Sequence, residues 1–383
     1  MTELLHGFNR RDAVMTAVLL AVSLALCGIS LRPSTDPEPG SKEKAVVISV
    51  DNSGVDEFGL VRRGTQQLQV KVLSGKFKGR VFNAVNELRS QMELDKLFVP
   101  GDKILAGILH DAVPEVTVIN AQDYYRFTPA LWLFAVFALL LLVFGGSTGF
   151  NALLSFVVSC QVIWKVVVPL CLRNWNAVAV SLAAVAVLTF IIIFLVAGVN
   201  FKGVTAFGGA MLGVISCAVT GWFFARVFHI NGAVMPYSQA LLYSGYEMLN
   251  LSDIYVGAIL LSSSGAVMDL AMDIASGMDE LGLKRQDISR KALFISGIRM
   301  GRSVVGTMTT TLLLAYSGGY LTLLMVFAAQ GTGFIDILTN PHVASELVKT
   351  LVGSFSLVLV APFTALLGSF LLKRPHRPAV KPE

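Results

Sequence analysis

Long runs of apolar residues, separated by short polar gaps, constrain this chain more than any other feature of its sequence. A helix needs about 20 consecutive apolar residues to cross the hydrocarbon core of a bilayer, and several runs approach that length. Only 14% of the residues are charged, against about 25% in a typical soluble domain. The chain is therefore predicted to be a polytopic α-helical membrane protein, with the lipid bilayer as its main partner.

About eight transmembrane helices are predicted, each close to the length that the hydrocarbon core requires. They lie near residues 13–31, 129–146, 149–171, 178–199, 205–228, 254–275, 296–316 and 347–372. The first is interpreted as an uncleaved anchor because the run is long for a signal peptide, which is the alternative. We expect residues 124–372 to form a helical bundle, with helices packed through small residues.

Lysine and arginine mark the cytoplasmic flanks of membrane helices, so they predict the orientation of the chain. Arg10 and Arg11 precede the first helix, and the loop at 276–294 is rich in basic residues. We therefore expect a cytoplasmic N-terminus at 1–12, a basic cytoplasmic tail at 373–383, and a location in the plasma membrane. Arg173 and Arg226 would lie on the outer side, against the general trend.

The segment after Tyr316 decides the number of crossings. It contains an apolar core of only about ten residues, half of what a span requires, before Gln330, Gly331 and Gly333 interrupt it. A re-entrant segment keeps the basic tail inside, because irregular backbone is tolerated at membrane depth where protein surrounds it. Eight spans and one re-entrant segment are predicted, with nine spans as the alternative.

Residues 32–123 differ from the rest of the chain and predict a small extracytoplasmic β-rich domain between the first two membrane helices. Leu68, Val70 and Val72 alternate with polar residues, which is typical of a half-buried strand. Turn residues such as Gly75 and Gly79 separate several short stretches of this kind. Several short strands in about 80 residues indicate a closed barrel or a compact sandwich.

Several classes of function are excluded or disfavoured by what the sequence lacks. The net charge of +5 arises at the ends of segments and not from a basic stripe, so no nucleic-acid partner is expected. None of the four cysteines has CxxC spacing, which disfavours disulfides and a cysteine-based metal site. Walker A, HExxH and GxSxG motifs are absent, so we predict neither an enzyme nor a cofactor.

Two carboxylates within a predicted membrane helix are the most unusual feature for function. Asp269 and Asp273 are four residues apart, so both project from one helix face. A carboxylate near the bilayer centre costs about 2.5 to 3.5 kcal/mol on insertion scales. They are therefore candidates for an ion, proton or substrate relay, with a cytoplasmic interfacial position of Asp273 as the alternative.

Further polar residues could contribute to the same path. Arg302 flanks the same loop as the aspartates and is a candidate ion-pair partner for them, whereas Arg299 is interpreted as a snorkelling anchor. Thr307 and Thr310 add hydroxyl groups at depth, although such residues also mark plain helix seams. Lys165 is an isolated intramembrane cation that could meet a carboxylate, and Glu346 is interpreted as an N-terminal helix cap.

Several segments together resemble the YibE/F family of multispanning bacterial membrane proteins. They are "VKVLSGKFKGRVFNAVNEL", "GDKIL", "GAVMDLAMDIASGMDEL", "SGIRMGRSVVGTMTTTLLLAYSGG" and "ELVKTLVGSFSLVLVAPFTALL". The resemblance covers about residues 45 to 372 and implies the same order of anchor, outer domain and bundle. Ser303 stands where the family usually has an acidic residue, and Thr310 where it often has an amide. The family implies no substrate.

The leading hypothesis from the sequence is a plasma-membrane transporter, permease or channel-like protein for an ion or small molecule. In it, Asp269, Asp273 and Arg302 line an internal polar path. The alternative is a scaffold or regulator whose β-rich domain binds an envelope partner. A homo-oligomer, or a half-permease that works with a paralogous membrane protein, is a further hypothesis.

Overall fold

A computed structural model of the protein describes residues 10–28, 40–109, 113, 117–285 and 287–373. Most of the predicted cytoplasmic N-terminus and of the basic tail lies outside the described residues. The chain divides into two compact units, Ser34–Leu140 and the remainder of the chain.

Six strands form the β-rich part of the first unit. They are β1 (Gly40–Asp51), β2 (Val55–Phe58), β3 (Val61–Val72), β4 (Val81–Arg89), β5 (Lys103–Leu109) and β6 (Val118–Tyr124). The order is β1-β5-β6-β4-β3-β2, and β1 also pairs with β3, so five strands close into a barrel. All pairings are antiparallel except β4 with β6. This order, with its single parallel pair, is that of an OB-fold.

The barrel interior confirms the alternation seen in the sequence. Leu68, Val70 and Val72 are buried, and Phe82 and Ile104 fill the core from β4 and β5. Side chains between these positions point outward, as the period of two in a strand requires. One polar side chain, that of Gln66, also lies wholly inside.

Eleven helices are described. They are α1 (Arg10–Gly28), α2 (Phe127–Gly146), α3 (Thr148–Leu172), α4 (Ala177–Ala197), α5 (Phe201–Val227), α6 (Ser238–Tyr243), α7 (Leu251–Lys284), α8 (Arg290–Gly318), α9 (Leu321–Gln330), α10 (Phe334–Thr339) and α11 (Pro341–Leu371). Gly146, with φ 52° and ψ −125°, separates α2 from α3. A π-helical turn at Ile163–Val167 interrupts α3.

Six of these helices (α2, α3, α4, α5, α7 and α11) are long and apolar enough to cross a membrane. A seventh crossing results if α8 and α9, which are bent by 68°, form one span. A multi-pass helical membrane protein with a β-barrel is thus confirmed. The count of eight spans stays a prediction, because residues 29–31 of the predicted anchor lie outside the described residues and the apolar part of α1 is short.

Helix α7 lies at the centre of the bundle, packed against α4, α5, α8 and α11. Its buried side consists of apolar and small residues, among them Val267, Leu270 and Ile274. Glycines on the neighbours let the backbones approach: a Cβ added to Gly213 of α5 would lie 2.9 Å from Val267. Close packing through small residues is the usual way in which membrane helices associate. It fixes the rotation of α7 and hence the direction of its polar side chains.

Candidate functional site

The two intramembrane aspartates lie on the side of α7 that no other described helix covers. The side chains of Asp269 and Asp273 are exposed, whereas Leu270 and Ile274, the next residue in each case, are fully buried. Both carboxylates thus share one face, as predicted, but this face is on the outside of the bundle of one chain. The polar path itself stays a prediction.

Contacts between α7 and α8 set the relative height of their residues. Gly301 of α8 faces Ile274, since an added Cβ would lie 3.2 Å from the Ile274 side chain. Gly277 of α7 likewise faces Met300. Because the helices run in opposite directions, Asp273, one residue before Ile274, is level with Arg302, one residue after Gly301. Asp269 lies about one turn, roughly 6 Å, further along.

Helix α8 presents a polar surface beside these aspartates. Its buried side carries Leu293, Gly297 and Gly301, and its other side is exposed. We call the combined surface the open α7–α8 face. It consists of Gly265, Asp269 and Asp273 from α7 and of Arg299, Arg302, Ser303, Gly306, Thr307 and Thr310 from α8, all of them exposed.

The predicted ion pair between Arg302 and an aspartate of the same chain is absent from the described residues. Asp273 and Arg302 are level, yet each projects outward from its own helix instead of into the seam between the two. The threonine hydroxyls bond within their own helix: Thr307 donates to the Val304 carbonyl (2.9 Å) and Thr310 to that of Gly306 (3.1 Å). The charged groups of the open α7–α8 face thus lack partners within the described part of the chain.

Lys165 lies elsewhere, and the expectation that it meets a carboxylate is wrong. It belongs to the π-helical turn of α3, and its Nζ donates to the backbone carbonyl of Cys27 at 2.8 Å. This backbone carbonyl of α1 supplies the polar partner that a cation within a membrane helix requires. Lys165 therefore joins α3 to α1.

The interrupted segment forms two short helices. Gln330 ends α9, Gly331 adopts a left-handed conformation with φ 64°, and Gly333 is the N-cap of α10. Gln330, Gly331 and Gly333 are exposed. The 68° bend between α8 and α9 fits either a broken span or a re-entrant loop.

A partly buried ion pair was missed in the sequence. Asn340, and not Glu346, caps α11, because its side chain accepts from the backbone N–H of His342. Glu346 lies inside the bundle with its Oε1 3.6 Å from Lys349 Nζ, and their side chains are only 15% and 27% exposed. The i, i+3 spacing of opposite charges beyond the first turn was the available signal.

Tyrosines surround this ion pair. Lys349 Nζ lies 4.7 Å from the ring centroid of Tyr316, and the Tyr255 hydroxyl donates to the Ser345 carbonyl at 2.6 Å. Glu346 Oε2 and the Tyr316 hydroxyl are buried without a hydrogen bond of good geometry within the described part, although Tyr320 and Ser262 lie near them. Buried polar atoms normally have a partner, so these two have the capacity to bind water or a polar solute. We call these residues the Glu346 cluster.

An open cavity of about 590 Å³ adjoins the Glu346 cluster. It is lined by residues 233–239 before and within α6, by Gly319 and Tyr320 at the α8–α9 bend, and by His342. Tyr320 also interacts electrostatically with Glu346, so it connects the cavity to the partly buried pair. No group of three or more potential metal ligands lies close together among the described residues.

Comparison with known families agrees with this architecture. Residues 133–374 match the model of the YibE/F-like protein family. The chain belongs to the YibE/F family. Residues 40–121 match the YibE/F family N-terminal domain, which corresponds to the barrel of β1–β6. No curated protein and no solved structure matches the chain. In this YibE/F protein, both the open α7–α8 face and the Glu346 cluster lie within the larger match.

Proposed function

We propose that this YibE/F protein is a transporter, permease or channel-like protein for a cation or a small polar solute. The observation that carries the proposal is the exposed, unpaired carboxylate of Asp269 within the long apolar helix α7. Because hydrocarbon alone does not tolerate such a group, it needs water, a cation or a positively charged partner. A polar path along this face meets that need.

The polar groups of α8 extend this path toward the other end of the bundle. Thr307 and Thr310 lie between the level of Asp269 and Tyr316, which belongs to the Glu346 cluster. The open α7–α8 face and the Glu346 cluster would then be the two ends of one route, with the cavity beside α6 as a mouth. Polar residues within membrane helices commonly mark such routes.

The orientation is part of the proposal. Lys284, Arg285, Arg290 and Lys291 flank the turn between α7 and α8, which favours a cytoplasmic position for that turn. The cavity beside α6 and the barrel would then be extracytoplasmic, and both chain termini cytoplasmic, in the plasma membrane. The carboxylates would lie nearer the cytoplasmic surface than the Glu346 cluster does.

Flux measurements in proteoliposomes test the proposal. Vesicles that hold a pH-sensitive dye are exposed to a proton gradient, with valinomycin and K⁺ to dissipate the membrane potential. We expect the wild-type protein to conduct protons above the level of empty vesicles, and Asp269→Asn to reduce this flux at least about tenfold, a barrier change of roughly 1.4 kcal/mol. The matched control is Asp287→Asn in the exposed loop, which should conduct normally. Equal flux in wild type and Asp269→Asn would remove this carboxylate from the mechanism.

A second candidate function, binding of an envelope partner by the barrel, is favoured by one surface feature. An open groove of about 410 Å³ on the barrel is lined by Gln67, Gln69, Asn83, Ser49 and Asp51. Neighbouring strands of OB-folds bind oligosaccharides and oligonucleotides on such faces. Replacing the two glutamines and Asn83 by alanine in the full chain, followed by crosslinking pulldown, tests this role. An unchanged set of crosslinked partners would argue against it.

A further inference from the structure

Four charged side chains on the open α7–α8 face lack an ion-pair partner within the described residues. Asp269 and Asp273 lie on α7, and Arg299 and Arg302 lie on α8. Their charges balance, so the face has no net charge. The acidic and the basic side chains nevertheless lie on different helices, and both point outward. Within a membrane, charged side chains pair with one another or contact water. The face of a single chain satisfies neither condition if lipid surrounds it.

The same face is shaped for close approach of another helix. Gly265 of α7 and Gly306 of α8 are exposed, and a Cβ added to either would meet no atom within 4 Å. Apart from Gly318 at the end of α8, the other glycines of these helices, such as Gly301, are in contact with neighbouring residues. Open glycines beside Ser303 and Thr307 resemble the small-residue surfaces through which membrane helices associate. The face therefore favours a helical occupant over lipid chains.

Two-fold symmetry makes this face complementary to itself. A two-fold axis along the membrane normal keeps every residue at its own depth, and it brings α7 of one copy opposite α8 of the other. Asp273 and Arg302 are level in the chain, as the contact of Ile274 with Gly301 shows. Asp273 of each copy then meets the partner's Arg302, and both pairs form at once. A second copy of this chain thus supplies the missing charges without any further protein.

We propose that two copies of this chain associate through the open α7–α8 face, with Asp273 of each copy paired to the partner's Arg302. Asp269, one turn further along, is left unpaired and is enclosed with Thr307 and Thr310 in the seam between the copies. Arg299 remains free to reach the membrane surface. In one chain the polar path is open on its outer side, whereas in the dimer the two copies enclose it between them. For the role of this seam, the inference rests on the proposed function.

Complementation between two charge reversals tests the pairing. Copies with different affinity tags are co-expressed, solubilised in mild detergent and purified through one tag, and the second tag is quantified. We expect wild-type copies to co-purify. Asp273→Arg with itself, or Arg302→Asp with itself, should co-purify at least about tenfold less, because each like-charged pair occurs twice. Asp273→Arg mixed with Arg302→Asp should recover, since both pairs are again of opposite charge.

Other outcomes would overturn the proposal. Wild-type copies that do not co-purify would exclude the dimer. Recovery only when both reversals are in one chain would show a pair within the chain. Should a reversed chain fail to accumulate, Asp273→Cys and Arg302→Cys copies replace it, in a background without the four natural cysteines. Because an arginine side chain spans more than a disulfide can bridge, a short bifunctional thiol crosslinker is used. It is expected to join the two differently tagged copies, and the absence of this crosslink refutes the pairing.

The same samples separate this inference from the proposed function. A dimer that carries no proton flux would refute proton conduction through Asp269 and leave the pairing intact. Full flux from a chain that is monomeric in the vesicles would refute the enclosed seam and leave transport intact.

Discussion

The buried amide of Gln66 offers the sharpest test of how the barrel is held together. This side chain is fully buried among apolar residues, and its Nε2 donates to the carbonyl of Phe98 at 2.8 Å. Its Oε1 accepts from the Phe98 N–H at 3.1 Å and from Asn86 Nδ2 at 3.1 Å. One side chain thus satisfies both backbone groups of Phe98, which is itself buried.

Gln66→Met keeps the approximate shape of the side chain but removes all of these hydrogen bonds. The two backbone groups of Phe98 are then buried without partners, at about 1 to 3 kcal/mol each. We expect the connection between β4 and β5 to lose about 2 to 6 kcal/mol of local stability. At 1.4 kcal/mol for each factor of ten, this loss corresponds to an increase in opening of at least about thirtyfold.

Hydrogen exchange, followed by mass spectrometry on the full-length protein, measures this increase in local opening directly. Peptides covering residues 94–99 should exchange at least about thirtyfold faster in Gln66→Met than in the wild type. Gln69→Met on the same strand is the matched control, because its side chain is exposed and it should change exchange little. Equal protection in wild type and Gln66→Met, or an equal loss in both variants, would refute the reasoning.

Two further predictions concern the bundle and the barrel. A Cβ on Gly301 would lie 2.6 Å from the Ala361 Cβ, so Gly301→Val should destabilise the bundle by about 1 to 3 kcal/mol in thermal unfolding in detergent. Gly318→Ala at the end of the same helix, with open space around it, should unfold like the wild type, and a similar loss there would contradict the assigned packing. In the barrel, burial alone would raise the pKa of Asp123, but hydrogen bonds from Lys96 and Arg126 outweigh it, so the pKa lies below its usual value. The stabilisation is thus fully present above the unfolded pKa of about 3.9 and is lost as the pH falls through the lower folded pKa. When barrel unfolding is measured against pH, the wild type should lose stability in acid, and Asp123→Asn should lose less. Identical pH profiles of the two proteins would exclude the ion pairs of Asp123 as the cause of this loss of stability.

Local patterns predicted the elements of the barrel but not its topology. The alternation around Leu68, Val70 and Val72 indicates a half-buried strand because it depends only on the period of the backbone. The pairing of β1 with β5, and the parallel pairing of β4 with β6, join segments that are far apart in the sequence. No local signal specifies such partners, so barrel and sandwich remained open until the structure was available.

In the candidate site, too, the local pattern was predicted from the sequence but the long-range contacts were not. The spacing of Asp269 and Asp273 places both on one face of α7, because it depends on helix geometry alone and not on tertiary contacts. The direction of that face depends on glycine contacts such as that of Gly213 with Val267, which set the rotation of the helix. Glu346 was misinterpreted because the start of α11 was placed at 347 instead of Pro341. Because of this shift of six residues, one member of a partly buried ion pair was interpreted as a helix cap.

The parallel pairing of β4 with β6 has a consequence for biosynthesis. Because β6 completes the ring and ends at Tyr124, the ribosome must translate the entire barrel before it can close. Only two residues separate β6 from α2, so this last strand leaves the exit tunnel immediately ahead of a hydrophobic segment bound for the insertion machinery. Barrel closure therefore depends on a strand that emerges immediately ahead of α2, and a pause in translation after β6 has left the tunnel would favour the barrel.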